Sequence, residues 1–526
     1  MESIWQKIFK FFKTNMSNIT KFNHIIKILL ILSSVAELVF FPTVAHVCIC
    51  VVNYLMWVIF SAVISKGSNY LYYPLSTFMI TGFILCFIVL PIPATLLEFK
   101  PVSYNLHNPL ICFLNIYLCL IALILAHCIY KKISRKNIIS YYLRKTSFFS
   151  PLSKKEFLIF TIGAISYTAI SILVYGRWED DNNTESKPLI LSFLSLMGIF
   201  VNLPVLLLFP RFHLVNWKPE AKNRFLLCIL YGLFLFVVGI ASNVRTMCIN
   251  YLCLIGALFF FGFLTNSIKV TLKKKYVISL LALLWFFTGP FMDISMAMVA
   301  VRGQKMNLSG LELLENTLEV YSNEKEMKSL RKAKTMLMTG ANDWDENYLN
   351  NDMLARFCSV KIFDESIYYA GKLGYNNPQM RDDYLHQLVS IWPTKISGLS
   401  NKERDIYRSY SETDYMYALA TKSSLGLGSF KIGSLPGLGL SIFGYWYLLI
   451  VILMFIPIYY YFDSTIYRNN NKLVISPWAA LSLFMVFYYT SCGHNYVTET
   501  RFLFREFFES IITYLLLRFF IRKLCN

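Results

Sequence analysis

The chain has 526 residues, of which 56% are hydrophobic, 17% aromatic and only 15% charged, where a soluble domain carries about 25% charged residues. That balance excludes a water-soluble fold and implies an integral membrane protein. The formal net charge of +19 does not indicate a nucleic-acid partner, because residues 302–431 hold 17 Lys+Arg and 17 Asp+Glu while the remainder carries 33 against 14. The excess therefore lies beside apolar runs, where basic residues hold loops on the cytoplasmic side and meet anionic lipid.

A membrane span needs about 20 mostly apolar residues, and the apolar runs predict helices at 25–41, 44–65, 73–93, 109–130, 157–176, 189–209, 225–241, 247–265, 276–299, 437–461, 475–492 and 505–520. The lysine-rich, amphipathic stretch from Met1 to His24 has no small-residue cleavage site after it, so the first span is expected to target the membrane itself. The first two spans are parted only around Pro42, and the seventh and eighth only around Ser242 to Thr246, which predicts two tight helical hairpins. Charge parity agrees with a count of twelve. Lys131, Lys132, Arg144, Lys145, Lys154, Arg211, Lys218, Arg224, Lys269 and Lys273 to Lys275 fall on one side with both termini, and the acidic loop Arg177 to Pro188 falls on the other.

By the same parity the neutral block 301–436 lies outside. The expected fold is an all-α polytopic membrane protein: a body of about nine helices in 1–300, a large helical extracytoplasmic loop domain in 301–436, and about three helices in 437–526. Within the loop, Ser309-x-x-Glu312 is a capping box opening a helix that is expected to close near Gly340. A second helix is predicted from Asp352 to Leu373 with Gly374 as its stop, and Asn377-Pro378 opens a third that Pro393 ends. The glycine-rich run Ser424 to Gly439 reads as a tight return to the bilayer. Of the twelve cysteines only Cys358 lies well inside the loop block, and neither a disulfide framework nor a zinc spacing is present.

Charged groups at membrane depth are costly and point to function. Arg245 sits in the polar turn Ser242-Asn243-Val244-Arg245-Thr246 on the outer face, where a guanidinium clamps a phosphate or merely snorkels at a helix end. Asp293 and Arg302 either face one cavity or cap and anchor their helix, and Glu37 and His46 are expected to pair structurally. On the predicted second loop helix Arg356 and Asp364 share a face. His494 is a candidate base and Arg501 a candidate phosphate ligand in the last outer loop. Trp392, Tyr407, Tyr410, Tyr415 and Tyr417 cluster before the tenth span, where rings stack on sugar faces or form an interfacial belt. No phosphate-binding glycine loop, HExxH, GxSxG or paired-cysteine motif occurs, so neither a metal nor a cofactor is expected.

The architecture, the Ser242 to Thr246 turn, the Arg356-Phe357 helix start and the run Leu388-Val389-Ser390-Ile391-Trp392-Pro393-Thr394-Lys395 followed by Gly426, Gly428, Gly433, Gly437, Gly439 and Gly444 together resemble the Wzy-type O-antigen and capsule polymerases. The chain departs from that pattern at Ser390-Ile391, where relatives often carry an arginine, and at Ile396, where proline usually follows the lysine. The resemblance implies polymerisation of polyprenyl-diphosphate-linked oligosaccharide repeat units at the outer face of a bacterial plasma membrane, in a pathway with a flippase and a chain-length regulator. It assigns Arg245, Arg302, Arg356 and Arg501 to the diphosphate, Asp364, Asp414 or His494 to the acceptor proton, and Trp392, Lys395 and Tyr415 to the sugar. A lipid-linked glycan ligase shares this architecture, and a flippase or other transporter would share the span count. A transporter is disfavoured because no internal repeat is found and the large loop falls asymmetrically.

Overall fold

The computed structural model describes residues 17–133, 137–175, 195–268, 285–286, 289–304, 308–337, 344–392, 394–423, 427–470, 472–490 and 495–525. Long apolar runs become helices because lipid offers no partner for backbone N–H and C=O groups. α1 (Asn18–Phe40) and α2 (Val44–Val63) form the first predicted hairpin, with Ser17 and Thr43 as their N-caps. The third predicted span is bent: α3 (Pro74–Ile84) continues through a π-turn at Leu85–Val89 and then swings by 44° into α4 (Pro91–Leu97) at Pro91. α5 (Pro109–Ile133) is buried on most of its circumference, as a helix at the centre of a bundle must be.

α6 (Lys154–Tyr175) follows, and then the second hairpin, α7 (Ala221–Ala241) and α8 (Arg245–Leu264). Among the described residues six helices are long and apolar enough to cross a membrane, or seven when the bent α3–α4 pair is one span. Two predicted spans are broken within their described residues. Residues 189–209 contain 3₁₀ turns at Leu196–Phe200 and Leu203–Leu208, with Pro204 at the start of the second. Residues 475–490 break at Ser482 into two short helices, and residues 491–492, like 189–194, lie outside the described residues. Of the span predicted at 276–299, the sustained helix among described residues is α9 (Pro290–Val301), and residues 276–284 and 287–288 lie outside them.

In the loop region the Ser309 capping box opens α10 (Gly310–Ser322). The helix does not run on to Gly340, because Asn323 ends it and a separate α11 (Glu324–Leu337) begins. The helix predicted over 352–373 is likewise two, α12 (Asp352–Phe357) and α13 (Val360–Leu373), parted at Cys358 and Ser359 and stopped by Gly374 at φ +92°. α14 (Pro378–Ser390) is capped by Asn377 as expected. Two further helices, α15 (Asn401–Arg408) and α16 (Glu412–Thr421), each open on a capping box, Ser400 with Glu403 and Ser411 with Asp414.

α17 (Leu435–Phe443) and α18 (Tyr447–Ser464) make one apolar run broken at Gly444, whose φ of +60° suits glycine. α17 lies hard against α13, and a Cβ at Gly437 would overlap Ser366. A two-stranded antiparallel hairpin, unexpected from sequence, follows: β1 (Ile466–Asn469) pairs with β2 (Lys472–Ile475), Ile466 opposite Ile475, with Asn470 at positive φ in the turn. α19 (Pro477–Leu481), α20 (Leu483–Tyr488), α21 (Tyr496–Arg501) and α22 (Phe507–Cys525) complete the chain, and a π-turn at Phe502–Glu506 joins the last two. The fully buried Arg518 of α22 is held by Glu156 at 3.0 Å and by the carbonyls of Ser147, Ser150 and Pro151. The protein is thus a helical membrane protein, and of the short helices α13 and α17 pack on one another and on α5.

Candidate functional site

The turn between α7 and α8 puts Asn243 in the left-handed region and makes Arg245 the first residue of α8. Asn243 Nδ2 donates to the carbonyl of Met298 at 2.8 Å, which ties the turn to α9, and Arg245 Nη1 donates to Ser295 Oγ at 3.2 Å. Arg356 approaches from the last turn of α12, where its backbone carbonyl accepts from the hydroxyl of Tyr488 on α20. Arg245 and Arg356 line one cavity of about 410 Å³ whose other walls include Ile249, Phe291, Phe357 and Phe484. Two guanidinium groups on mostly apolar walls, with Thr246, Asn250, Ser295 and Tyr488 as the other polar residues, suit an amphipathic ligand with an anionic head, since arginine binds phosphate through paired N–H groups.

Glu346 stands beside this cavity. Its Oε2 lies 3.9 Å from Arg356 Nη1, while its Oε1 accepts from Trp344 Nε1 at 3.2 Å and from the amide of Ile432 at 3.0 Å. Ile432 lines the same cavity, and Phe430, two residues earlier, lines another. That second cleft, about 580 Å³, is formed by Arg408, Arg501, Arg505, Tyr407, Tyr410 and Phe430 among others. The segment 430–432 therefore contributes to both cavities, and carboxylates pin it.

Asp414 is the main pin, and its burial explains why. Its Oδ1 accepts from Ser429 Oγ at 3.0 Å and the Lys431 amide at 2.9 Å, and its Oδ2 from the Phe430 amide at 2.8 Å and the Ser411 amide at 3.2 Å. Its oxygens are thus occupied by donors of its own chain. Asp364 is placed in the same way. It accepts the amides of His107 at 2.7 Å and Asn108 at 3.2 Å, capping the start of α5, and lies 3.4 Å from Lys361 Nζ. Both carboxylates are buried and hold backbone. The break at Cys358 and Ser359 also separates Arg356 from Asp364, which sit on different helices rather than on one face.

The other sequence candidates divide. Arg501 lines the second cleft, with Glu506 Oε1 at 3.7 Å from its Nη1. Tyr415 stacks on Tyr410 with ring centroids 5.9 Å apart, and the Trp392 ring lies 6.4 Å from that of Phe504. Arg302 is exposed beyond α9 and lines neither cavity. Asp293 does not share a cavity with it, because both of its oxygens take Arg331, at 3.1 and 2.7 Å. Glu37 and His46 pair at 3.5 Å, and Glu37 accepts the amide of Val102. His494 and the side chain of Lys395 lie outside the described residues.

Residues absent from the sequence reading complete the picture. Arg404 Nε and Arg408 Nη2 both donate to the carbonyl of Ser390, at 3.3 and 2.9 Å. Burial, and then the nearby charges of Arg404, Arg501 and Arg505, hold the Arg408 guanidinium below its ordinary pKa. Arg505 donates to Glu509 at 2.7 Å and to the carbonyl of Ile391 at 3.2 Å. Glu412, fully buried in the first turn of α16, keeps one oxygen without a hydrogen-bond partner, and burial, with Asp383 nearby, pushes its carboxyl up to about 8. Among the described residues no group of three or more His, Cys, Asp or Glu is arranged to hold a metal ion. No family model, curated protein or solved structure matches this chain.

Proposed function

We propose that this protein is a membrane glycosyltransferase that polymerises polyprenyl-diphosphate-linked oligosaccharide repeat units into a surface polysaccharide. In this reading the chain spans the bacterial plasma membrane twelve times, and residues 301–436 form a domain on its outer side. A flippase supplies the lipid-linked units and a chain-length regulator limits the product. The observation that carries the reading is the convergence of Arg245 and Arg356 on one apolar cavity, which matches a ligand with a hydrocarbon tail and a diphosphate head.

The chemistry follows from those groups. A hydroxyl oxygen of the acceptor sugar attacks the anomeric carbon of the donor glycan. The bond from that carbon to the diphosphate oxygen breaks, and the polyprenyl diphosphate leaves with the electron pair. Arg245 and Arg356 stabilise the charge that grows on the leaving oxygens, and such preorganised donors act most strongly in a site poor in water. The acceptor proton goes to Glu346, which stands beside Arg356 and is partly exposed. Asp364 and Asp414 keep their structural duties, holding α5 and the 430–432 segment in place.

A glycan ligase would use the same donor cavity and differ in its acceptor, whereas a transporter would need no base. The test is a deletion strain complemented with variants. Loss of polymerisation leaves single repeat units on exported lipid, and loss of export leaves none outside. Full-length glycan ladders from Arg245→Ala and Arg356→Ala would overturn the assignment.

A further inference from the structure

The cleft around Arg408 is chemically unlike the donor cavity. Where Arg245 and Arg356 sit on mostly apolar walls, this larger cleft is lined by Gln387, Ser390, Tyr407, Tyr410, Asn495 and Thr498 together with three arginines. Tyr407 stacks on His386 at 5.1 Å with the rings nearly parallel, and Tyr410 is fixed by its 2.7 Å bond to Asp383. Rigid aromatic and hydroxyl groups of this kind suit a sugar rather than a prenyl chain.

The charge is as informative as the shape. Arg408, Arg501 and Arg505 line the cleft against Glu506 and Glu509, and Arg404 lies close enough to Arg408 to help depress its pKa. Glu509 holds Arg505 and Glu506 lies near Arg501. Arg404 and Arg408, however, share the neutral carbonyl of Ser390, and the charge of Asp405 only partly offsets their repulsion at Arg408. Packing like charges together is unfavourable, and an anionic ligand relieves that repulsion through charge-assisted hydrogen bonds. The arginines come from two distant parts of the chain, α15 and the α21–α22 junction, so the periodicity of one helix does not produce the cluster.

We propose that this cleft binds an acidic saccharide, a sugar carrying a carboxylate or phosphate, with Arg408 and Arg505 as the principal anion ligands and Tyr407 and Tyr410 against the sugar. The inference rests on the glycan reading above and names the substrate class: the repeat unit that this protein handles carries an acidic group. Because Phe430 lines this cleft and Ile432 the donor cavity, a saccharide here reaches toward the lipid diphosphate across a wall that Asp414 and Glu346 hold.

Purified full-length protein in nanodiscs is titrated with trigalacturonate, with maltotriose as the neutral control and with inorganic diphosphate as the headgroup control. Trigalacturonate is expected to bind at least 10-fold more tightly than maltotriose and to weaken as salt rises, since exposed charges are screened. Arg408→Gln and Arg505→Gln lower that affinity at least 10-fold, Arg408→Lys retains part of it, and Arg245→Gln leaves it unchanged. Where Arg408→Gln does not fold, Arg505→Gln and the salt dependence carry the test. Equal binding of the acidic and neutral saccharides, or no saturable binding of trigalacturonate, overturns the proposal. Diphosphate binding more tightly than trigalacturonate with the same arginine dependence also overturns it, in favour of a second lipid-headgroup site. Failure of this test with ladders still lost in Arg245→Ala would refute the acidic-sugar site alone, whereas intact ladders in Arg245→Ala would refute the donor cavity.

Discussion

Arg245, at the first turn of one membrane helix, and Arg356, at the last turn of a short helix in the loop region, line the same apolar cavity. Neither helix presents more than one of these charges to it, so removing either arginine removes half of the cationic pair. Arg245→Ala and Arg356→Ala are each expected to reduce glycan polymerisation by about 10²-fold or more, the scale of losing one oxyanion donor. Lysine at either position restores little, because it lacks the paired N–H geometry. Gel ladders from membranes with matched protein levels provide the check.

Glu346→Gln separates chemistry from binding. The substitution keeps an oxygen for the Ile432 amide but cannot take a proton. Turnover is expected to fall about 10²-fold or more while affinity for the lipid-linked donor changes little. Equal loss of affinity and turnover would place Glu346 in positioning the wall instead.

Asp414→Asn addresses the opposite role. An amide there turns an NH₂ group toward N–H donors that the carboxylate now accepts. Leaving such buried groups unmatched costs about 1–3 kcal/mol, so the variant should unfold at a lower temperature in detergent. The same logic applies to Asp364→Asn at the start of α5.

Glu412 gives the protein a pH dependence with a definite sign. Burial raises its carboxyl from 4.5 to about 8, so the folded state holds a proton that the unfolded chain releases. This stabilising contribution is complete below about pH 4.5 and is lost as pH rises through about 8. Glu412→Gln stays neutral throughout, and its melting temperature should exceed that of the parent at pH 8.5 and approach it at pH 5. Identical pH profiles for the two proteins would remove Glu412 from this role.

Much of this was legible in the sequence where the signal is local. Runs such as 109–130 and 225–241 declare themselves because lipid demands about 20 apolar residues in a row, and Arg245 stands out as a charge between two such runs. Continuity was harder to read. Nothing in the pattern at Cys358 and Ser359 announces a break, yet the break moves Arg356 away from Asp364. The capping boxes Ser400 with Glu403 and Ser411 with Asp414 were present as signals, and the second already marks Asp414 as a first-turn structural acid. Arg408 and Arg505 were invisible as a pair, because one reads as the solvated face of a short helix and the other as an interfacial anchor. Only tertiary packing brings them to one cleft.

The most direct test of the central claim follows products rather than phenotype. Purified protein is supplied with one lipid-linked repeat unit, and the reaction is analysed by mass spectrometry. Polymerisation yields lipid-linked dimers and longer chains together with one free polyprenyl diphosphate for each bond formed, both abolished in the Arg245→Ala, Arg356→Ala double variant. Unchanged lipid-linked monomer, accompanied by its movement across the bilayer, would contradict it.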